Sequence, residues 1–260
     1  MTRPDELLGF PTVGIVGAGQ LARMCVGPAT ELGVRLRVLA ESPDDPAAQV
    51  VPGTTVGDYR DLATLRAFAA DCDVVTFDHE HVPTEHLRAL VAEGHVVRPG
   101  PDALVHGQDK QEMRERLGAL GVPVPRWAPV GRAQDAERFA AASPDGRAVL
   151  KTTRGGYDGR GVAMVDTTTA ADQAAHWLGA GAAVLVEELV PFTRELSALV
   201  ARSPSGQAVA YPVVESVQVD GICREVYAPA PGLHPDHALA AQRAALAVAG
   251  DLGLVGVMAV

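Results

Sequence analysis

The sequence lacks the features of a nucleic-acid binder, a disulfide scaffold or a membrane protein. Its formal charge is −10 and its pI about 5.2, so it has no basic footprint for non-specific contact with nucleic acid or an anionic membrane. Its three cysteines, Cys25, Cys72 and Cys223, are odd in number, widely spaced and free of any CxxC pair, which argues against a disulfide framework or a cysteine zinc site. No apolar run approaches the roughly 18 residues that span a bilayer, and the start "MTRPDELLGFP" has neither a basic n-region nor an apolar h-region. A soluble, cytoplasmic protein with reduced thiols is expected. What is present is 260 residues with 47% hydrophobic content, enough for two domains at about 100 to 200 residues each.

Hydrophobic periodicity orders the first hundred residues as alternating strands and helices. "TVGIV" (12–16) reads as a buried strand, Gly17 and Gly19 as a turn, and a helix begins near Gln20. "LRVLA" (36–40), "DVVTF" (73–77) and "HVVRP" (95–99) continue the strands, with helices near 62–70 and 84–92. The pattern predicts a doubly wound parallel sheet. A charged helix, "QDKQEMRERLGALG", follows and ends at Gly121, where a glycine C-cap is expected. A small α+β unit comes next: an extended segment "VPVPRWAPV", a helix (134–142), strands at 148–151 and 162–166, a helix (170–178) and a strand (183–188). "RELSALVAR", "QAVAYPVVESV" and "CREVYAP" read as an antiparallel meander, followed by an alanine-rich helix (237–252) and a last strand, "LVGVMAV". That strand runs to the final residue without a turn, as expected of a truncated sequence.

Two glycine motifs point to ligands. Gly17-Ala-Gly19-Gln20-Leu21-Ala22 fits a dinucleotide fingerprint, with Glu41 about 20 residues on as the ribose acid, so an NAD-dependent oxidoreductase is one reading; a plain tight turn is another. "KTTRGGYDGRGV" (151–162) holds four glycines beside Lys151, Arg154 and Arg160. This combination suits a mobile loop whose backbone N–H groups cradle anionic oxygens, or else a solvated hairpin tip. His79 and His81 alternate along a strand and raise a zinc reading that lacks a third ligand at suitable spacing.

Taken in order, "GIVGAGQLARM", Lys110, "KTTRGGYDGRGV", "VEELVPFTRELS", "YPVVESVQVDGI" and "LGLVGVMAV" closely resemble the 5-(carboxyamino)imidazole ribonucleotide synthases, ATP-grasp enzymes of purine biosynthesis. The resemblance covers residues 12–260. It implies an α/β architecture: a Rossmann-like pre-ATP-grasp domain with a doubly wound parallel sheet (1–103), then an α+β ATP-grasp domain (104–260) with its lid at about 123–186. It also implies ATP and magnesium as cofactors, aminoimidazole ribonucleotide and bicarbonate as substrates, and a homodimer.

Position by position, the resemblance implies that Lys110 and Lys151 hold ATP phosphates under a flap of Gly156, Tyr157, Asp158, Gly159, Arg160, Gly161 and Val162. Glu187, Glu188, Leu189 and Val190 would meet adenine, and Glu195 the ribose. Arg160, Tyr157 and Asp158 would serve the reaction itself. Gln20, Leu21 and Glu80 would bind the ribonucleotide, with a phosphate or ribose at the Gly17–Leu21 turn. Lys110 stands where the family usually has arginine, Gln218 replaces a histidine near the nucleotide, and "TFDHEHVP" replaces a Glu-Phe-Glu-Asn pattern, with Asp78 for its first acid. The family's magnesium-binding acids lie beyond "VGVMAV". A sister ATP-grasp ligase and a nucleotide-binding regulatory module remain alternative readings.

Overall fold

The computed structural model describes residues 9–156 and 160–260, which divide into two compact units between Leu104 and Val105. In the first, β1 (Thr12–Val16) is followed by two short helices, α1 (Gln20–Met24) and α2 (Val26–Glu31), then β2 (Arg35–Ala40) and β3 (Gly53–Val56). Next come α3 (Leu62–Ala69), β4 (Val74–Phe77), α4 (Thr84–Ala92) and α5 (Pro101–Gln108), which contains the division between the units. The sheet is parallel in the order β3-β2-β1-β4.

Strand alternation supplies a core on each face of that sheet, as a parallel sheet requires. Val16 and Leu39 join Leu65, Phe68, Leu87 and Leu90 on one side, whereas Ile15, Val38 and Ala40 join Ala18, Ala22 and Ala47 on the other. β1 and α3 approach so closely that a Cβ on Gly14 would lie 2.4 Å from Cys72 Sγ and 2.9 Å from the Phe68 ring. The strand expected at 95–99 reduces to one parallel bridge, Val75 to Val97, held by Val75 N–H to Val96 O (2.8 Å) and Arg98 N–H to Val75 O (2.8 Å). Pro99 has no N–H with which to extend the ladder.

The second unit opens with α6 (Lys110–Ala119), whose N-cap Asp109 accepts from the Gln111 and Glu112 N–H groups at 3.0 and 3.3 Å. The helix gives way at Gly121, with φ of 70°. β5 (Trp127–Val130), α7 (Ala133–Ala141), β6 (Arg147–Thr152), β7 (Val162–Asp166), α8 (Ala170–Gly179) and β8 (Val184–Glu188) follow. The four strands form an antiparallel sheet, order β5-β8-β6-β7, with α7 and α8 packed on one face.

The anticipated meander is two sheets. β9 (Glu195–Ser197), β12 (Val214–Val219) and β13 (Ile222–Tyr227) pair in the order β13-β12-β9. β10 (Leu199–Arg202) instead lies between β11 (Ala208–Ala210) and β14 (Gly256–Ala259) in the order β11-β10-β14, and α9 (Pro235–Asp251) packs on β10 and β11. Chain continuity hides the switch: only buried Ala198 separates β9 from β10, and it exchanges both backbone hydrogen bonds with Val260. Pro212, without an N–H, lies between β11 and β12. No helix among the described residues is long and apolar enough to cross a membrane.

The three thiols differ in surroundings. Burial beneath β1 pushes Cys72 up to about 11, while Cys25 and Cys223 are exposed. Since the thiolate is the reactive form, an aromatic disulfide reagent at about pH 8 is expected to titrate two thiols rapidly and the third only on unfolding. Three equally fast thiols would contradict the packing of Cys72.

Candidate functional site

Alternation along β6 and β8 sorts their side chains. Ala148, Leu150, Val184 and Val186 enter the core with α7 and α8, so Val149, Lys151, Leu185 and Glu187 share the opposite face. The register sets Val149 across from Glu187 and Lys151 across from Leu185, which makes Lys151 the diagonal neighbour of Glu187. The two form a salt bridge through Lys151 Nζ and Glu187 Oε1. The other oxygen, Oε2, accepts from Arg114 Nη2 (2.9 Å) and Nε (3.2 Å) on α6. Glu187 is only 4% exposed, and a carboxylate so desolvated is stable in its charged form only with such partners.

α6 also reaches the glycine loop. Lys110 donates its N–H to Thr153 O (2.8 Å) and Nζ to Gly155 O (3.0 Å), while Asp109 Oδ2 accepts from Arg154 Nε (2.8 Å). Gly156 (φ 86°) and Gly161 (φ 67°) pinch the loop at its base: a Cβ on Gly156 would lie 2.6 Å from Arg160 O, and one on Gly161 2.4 Å from Thr152 Oγ1. Glycine is required at both positions by backbone angle and by space. Arg160 is exposed, and Val162 opens β7 directly across from Lys151. Tyr157, Asp158 and Gly159 lie outside the described residues.

Thus the structure brings together Lys110, Lys151, Gly156, Arg160, Gly161, Val162 and Glu187. Glu188 donates its N–H to Arg126 O (2.8 Å), and the chain leaves β8 through half-buried Leu189 and exposed Val190. Glu195 and Gln218 are exposed on the β13-β12-β9 sheet, Glu195 across from Ser216 and Gln218 at a register shift. Sequence reasoning missed Arg114, Asp109 and the Arg194–Glu215 pair (Nη2 to Oε2, 2.6 Å). For Arg114 a signal existed, since it follows Lys110 by four residues and shares its helix face.

In the first unit, a cleft of about 380 Å³ is lined by Gly17, Gly19, Gln20, Leu21, Glu41, Asp45, Asp78 and His79, among others. Asp78 locks the turn. Its Oδ2 accepts the Gly19 N–H at 2.7 Å, and Oδ1 sits where a Cβ on Gly17 (φ 102°) would lie only 1.7 Å away. The Asp78 side chain is 7% exposed, and among the described residues Oδ1 has no hydrogen-bond partner. His79 Nε2 is 4.0 Å from it, while His79 Nδ1 accepts the His81 N–H (3.2 Å), so the proton of the neutral ring belongs on Nε2. Burial lowers the His79 pKa, with Asp78 opposing the shift.

These contacts revise three expectations. The Gly17–Leu21 turn does not offer an open anion site, because Asp78 takes the Gly19 N–H and α1 is only five residues long. With Glu41, Asp45 and Asp78 in the lining, a ribose hydroxyl suits the cleft better than a phosphate. Glu41 is already paired with Arg60 (2.7 Å), against the dinucleotide reading. His79 and His81 stack past the end of β4, ring centroids 5.3 Å apart, rather than projecting from a strand. Glu80 is half-buried between them. Among the described residues no group of three His, Cys, Asp or Glu side chains could hold a metal ion.

Comparison with known proteins places this geometry. A ribonucleotide synthetase preATP-grasp domain model matches residues 10–108, and an ATP-grasp domain model matches residues 115–260. The chain is 57% identical over 251 residues to the N5-carboxyaminoimidazole ribonucleotide synthase of Mycobacterium tuberculosis, covering 96% of this chain and 58% of that protein. The crystal structure of the synthetase from Thermus thermophilus aligns with a TM-score of 0.84 and 36% identity, over 95% of this chain and 66% of that one. The Aspergillus clavatus enzyme, solved with ADP and 5-aminoimidazole ribonucleotide, aligns with a TM-score of 0.82 and 28% identity, over 96% and 65%. The chain thus spans somewhat under two thirds of the length of these proteins. It belongs to the ATP-grasp family, and within that family to the N5-carboxyaminoimidazole ribonucleotide synthases.

Proposed function

We propose that the second unit binds ATP, that the first binds a ribonucleotide, and that together they serve the ATP- and bicarbonate-dependent carboxylation of 5-aminoimidazole ribonucleotide. The observation that carries this reading is the gathering of Lys110, Lys151 and the base of the glycine loop beside one sheet face. The relative crystallised with ADP and aminoimidazole ribonucleotide supplies the ligand chemistry.

In this reading a bicarbonate oxygen attacks the γ-phosphorus of ATP, the bond to the β-phosphate oxygen breaks, and ADP and carboxyphosphate result. The exocyclic amine of the ribonucleotide then takes the carboxyl group, losing a proton as phosphate leaves. Such chemistry needs positioning and charge neutralisation more than a protein nucleophile. Lys110 and Lys151 hold ground-state phosphates, and Arg160 meets charge that develops as the loop closes and excludes water. Tyr157 and Asp158 face bicarbonate or the imidazole. Glu187, Glu188, Leu189 and Val190 border adenine, Glu195 accepts from ribose hydroxyls, and Gln218 lies near the nucleotide. Gln20, Leu21 and Glu80 contact the ribonucleotide. Magnesium would enter as the companion of the nucleotide phosphates and offset part of their charge. Domain limits of 1–103 and 104–260 with a lid at about 123–186, a homodimeric assembly and a cytoplasmic location complete the reading.

ATP supplied with magnesium is expected to raise the thermal unfolding midpoint, because a ligand bound only by the folded state stabilises it, whereas NAD leaves the midpoint unchanged. A shift with NAD and none with ATP overturns the reading. Lys151→Ala should weaken ATP binding about tenfold or more. In a longer version continuing past Val260, Arg160→Ala should depress ADP release with bicarbonate and aminoimidazole ribonucleotide much more than it weakens ATP binding. Equal losses of ATP affinity in the two variants count against a separate role for Arg160.

A further inference from the structure

Glu187 is a single buried carboxylate holding two cations of different character. Arg114 grips Oε2 with two donors of its planar fork, at 2.9 and 3.2 Å, while Lys151 meets Oε1 with one ammonium on a flexible stem. Their side chains are 15% and 22% exposed, against 6% for Glu187. A lysine held in this way has its field largely cancelled by its partner. To serve a phosphate it must swing away, and the carboxylate it leaves is then stable only if another cation remains.

We propose that Arg114 is a positioning residue for nucleotide binding. It keeps Glu187 neutralised when Lys151 transfers from that carboxylate to a phosphate oxygen of the adenine nucleotide. Glu187 is correspondingly the resting place of Lys151 when no nucleotide is bound. The inference rests on the reading that Lys151 contacts nucleotide phosphate. Its added content is an ion-pair exchange in which one cation moves and the other stays. The strands favour this division of labour, because β6 and β8 fix the stems of Lys151 and Glu187 side by side. Arg114 comes from α6, whose start is anchored to the loop through Asp109–Arg154 and Lys110–Gly155.

The test is a titration of the 260-residue chain with a fluorescent N-methylanthraniloyl ATP, for wild type, Arg114→Met, Glu187→Gln and the double variant, each with its unfolding midpoint. Arg114→Met is expected to bind the probe about tenfold or more weakly, since Glu187 now retains Lys151. In the double variant no unpaired carboxylate remains to compete for Lys151, so affinity should recover most of that loss. A purely structural role for Arg114 predicts no such recovery. If Arg114→Met does not fold, Arg114→Lys, which keeps the charge but loses the fork, should show a smaller loss that Glu187→Gln again reverses. Wild-type affinity in Arg114→Met, or a double variant as weak as the single one, overturns the exchange. Failure of the wild type itself to bind overturns the nucleotide reading and the inference with it, and is distinguishable because it is seen before any substitution.

Discussion

The second unit depends on the cost of burying one carboxylate. Glu187 lies in β8 at 4% exposure, and nothing in an apolar sheet tolerates that charge without compensation. The compensation comes from two other elements, β6 through Lys151 and α6 through Arg114. One desolvated group therefore brings a helix and two strands to one place. Once α6 is held there, its start reaches the beginning of the glycine loop, where Asp109 meets Arg154 and Lys110 meets Gly155. The basic groups around the glycine loop are thereby positioned by one buried charge.

The first unit applies the same physics to a turn. Asp78, at 7% side-chain exposure, accepts the Gly19 N–H, and its other oxygen occupies the space that a side chain on Gly17 would need. The glycine turn is therefore closed from beneath by an acid and presents an acidic wall to its cleft. That polarity fits hydroxyl donors and disfavours a phosphate held at the helix start. In both units glycine is demanded by a neighbour at under 3 Å as much as by backbone angle, since Gly161 meets Thr152 as Gly17 meets Asp78.

Much of this was legible in the sequence where it depended on local pattern. The strands at 12–16, 36–40 and 162–166, the helices after Thr84 and Ala170, and the pairing of Lys151 with a glycine loop follow from alternation, periodicity and composition. What was hidden depended on residues far apart in the chain. Arg114 and Glu187 are 73 positions apart, Gly19 and Asp78 are 59 apart, and no single-chain periodicity joins them. The split of the meander was hidden for a related reason: β9 and β10 alternate as one continuous strand, and only the distant arrival of β14 beside β10 separates them. At 95–99, Pro99 removed the donor that a ladder needed, and local pattern overstated the strand.

The most direct test of the account is a crystal structure of the chain with a non-hydrolysable ATP analogue, examined at Glu187. The account predicts Lys151 Nζ on a phosphate oxygen and no longer on Oε1, with both Arg114 donors still within hydrogen-bond distance of Oε2. A bound analogue with Lys151 still paired to Glu187, or with Arg114 drawn to the phosphates in its place, would contradict it.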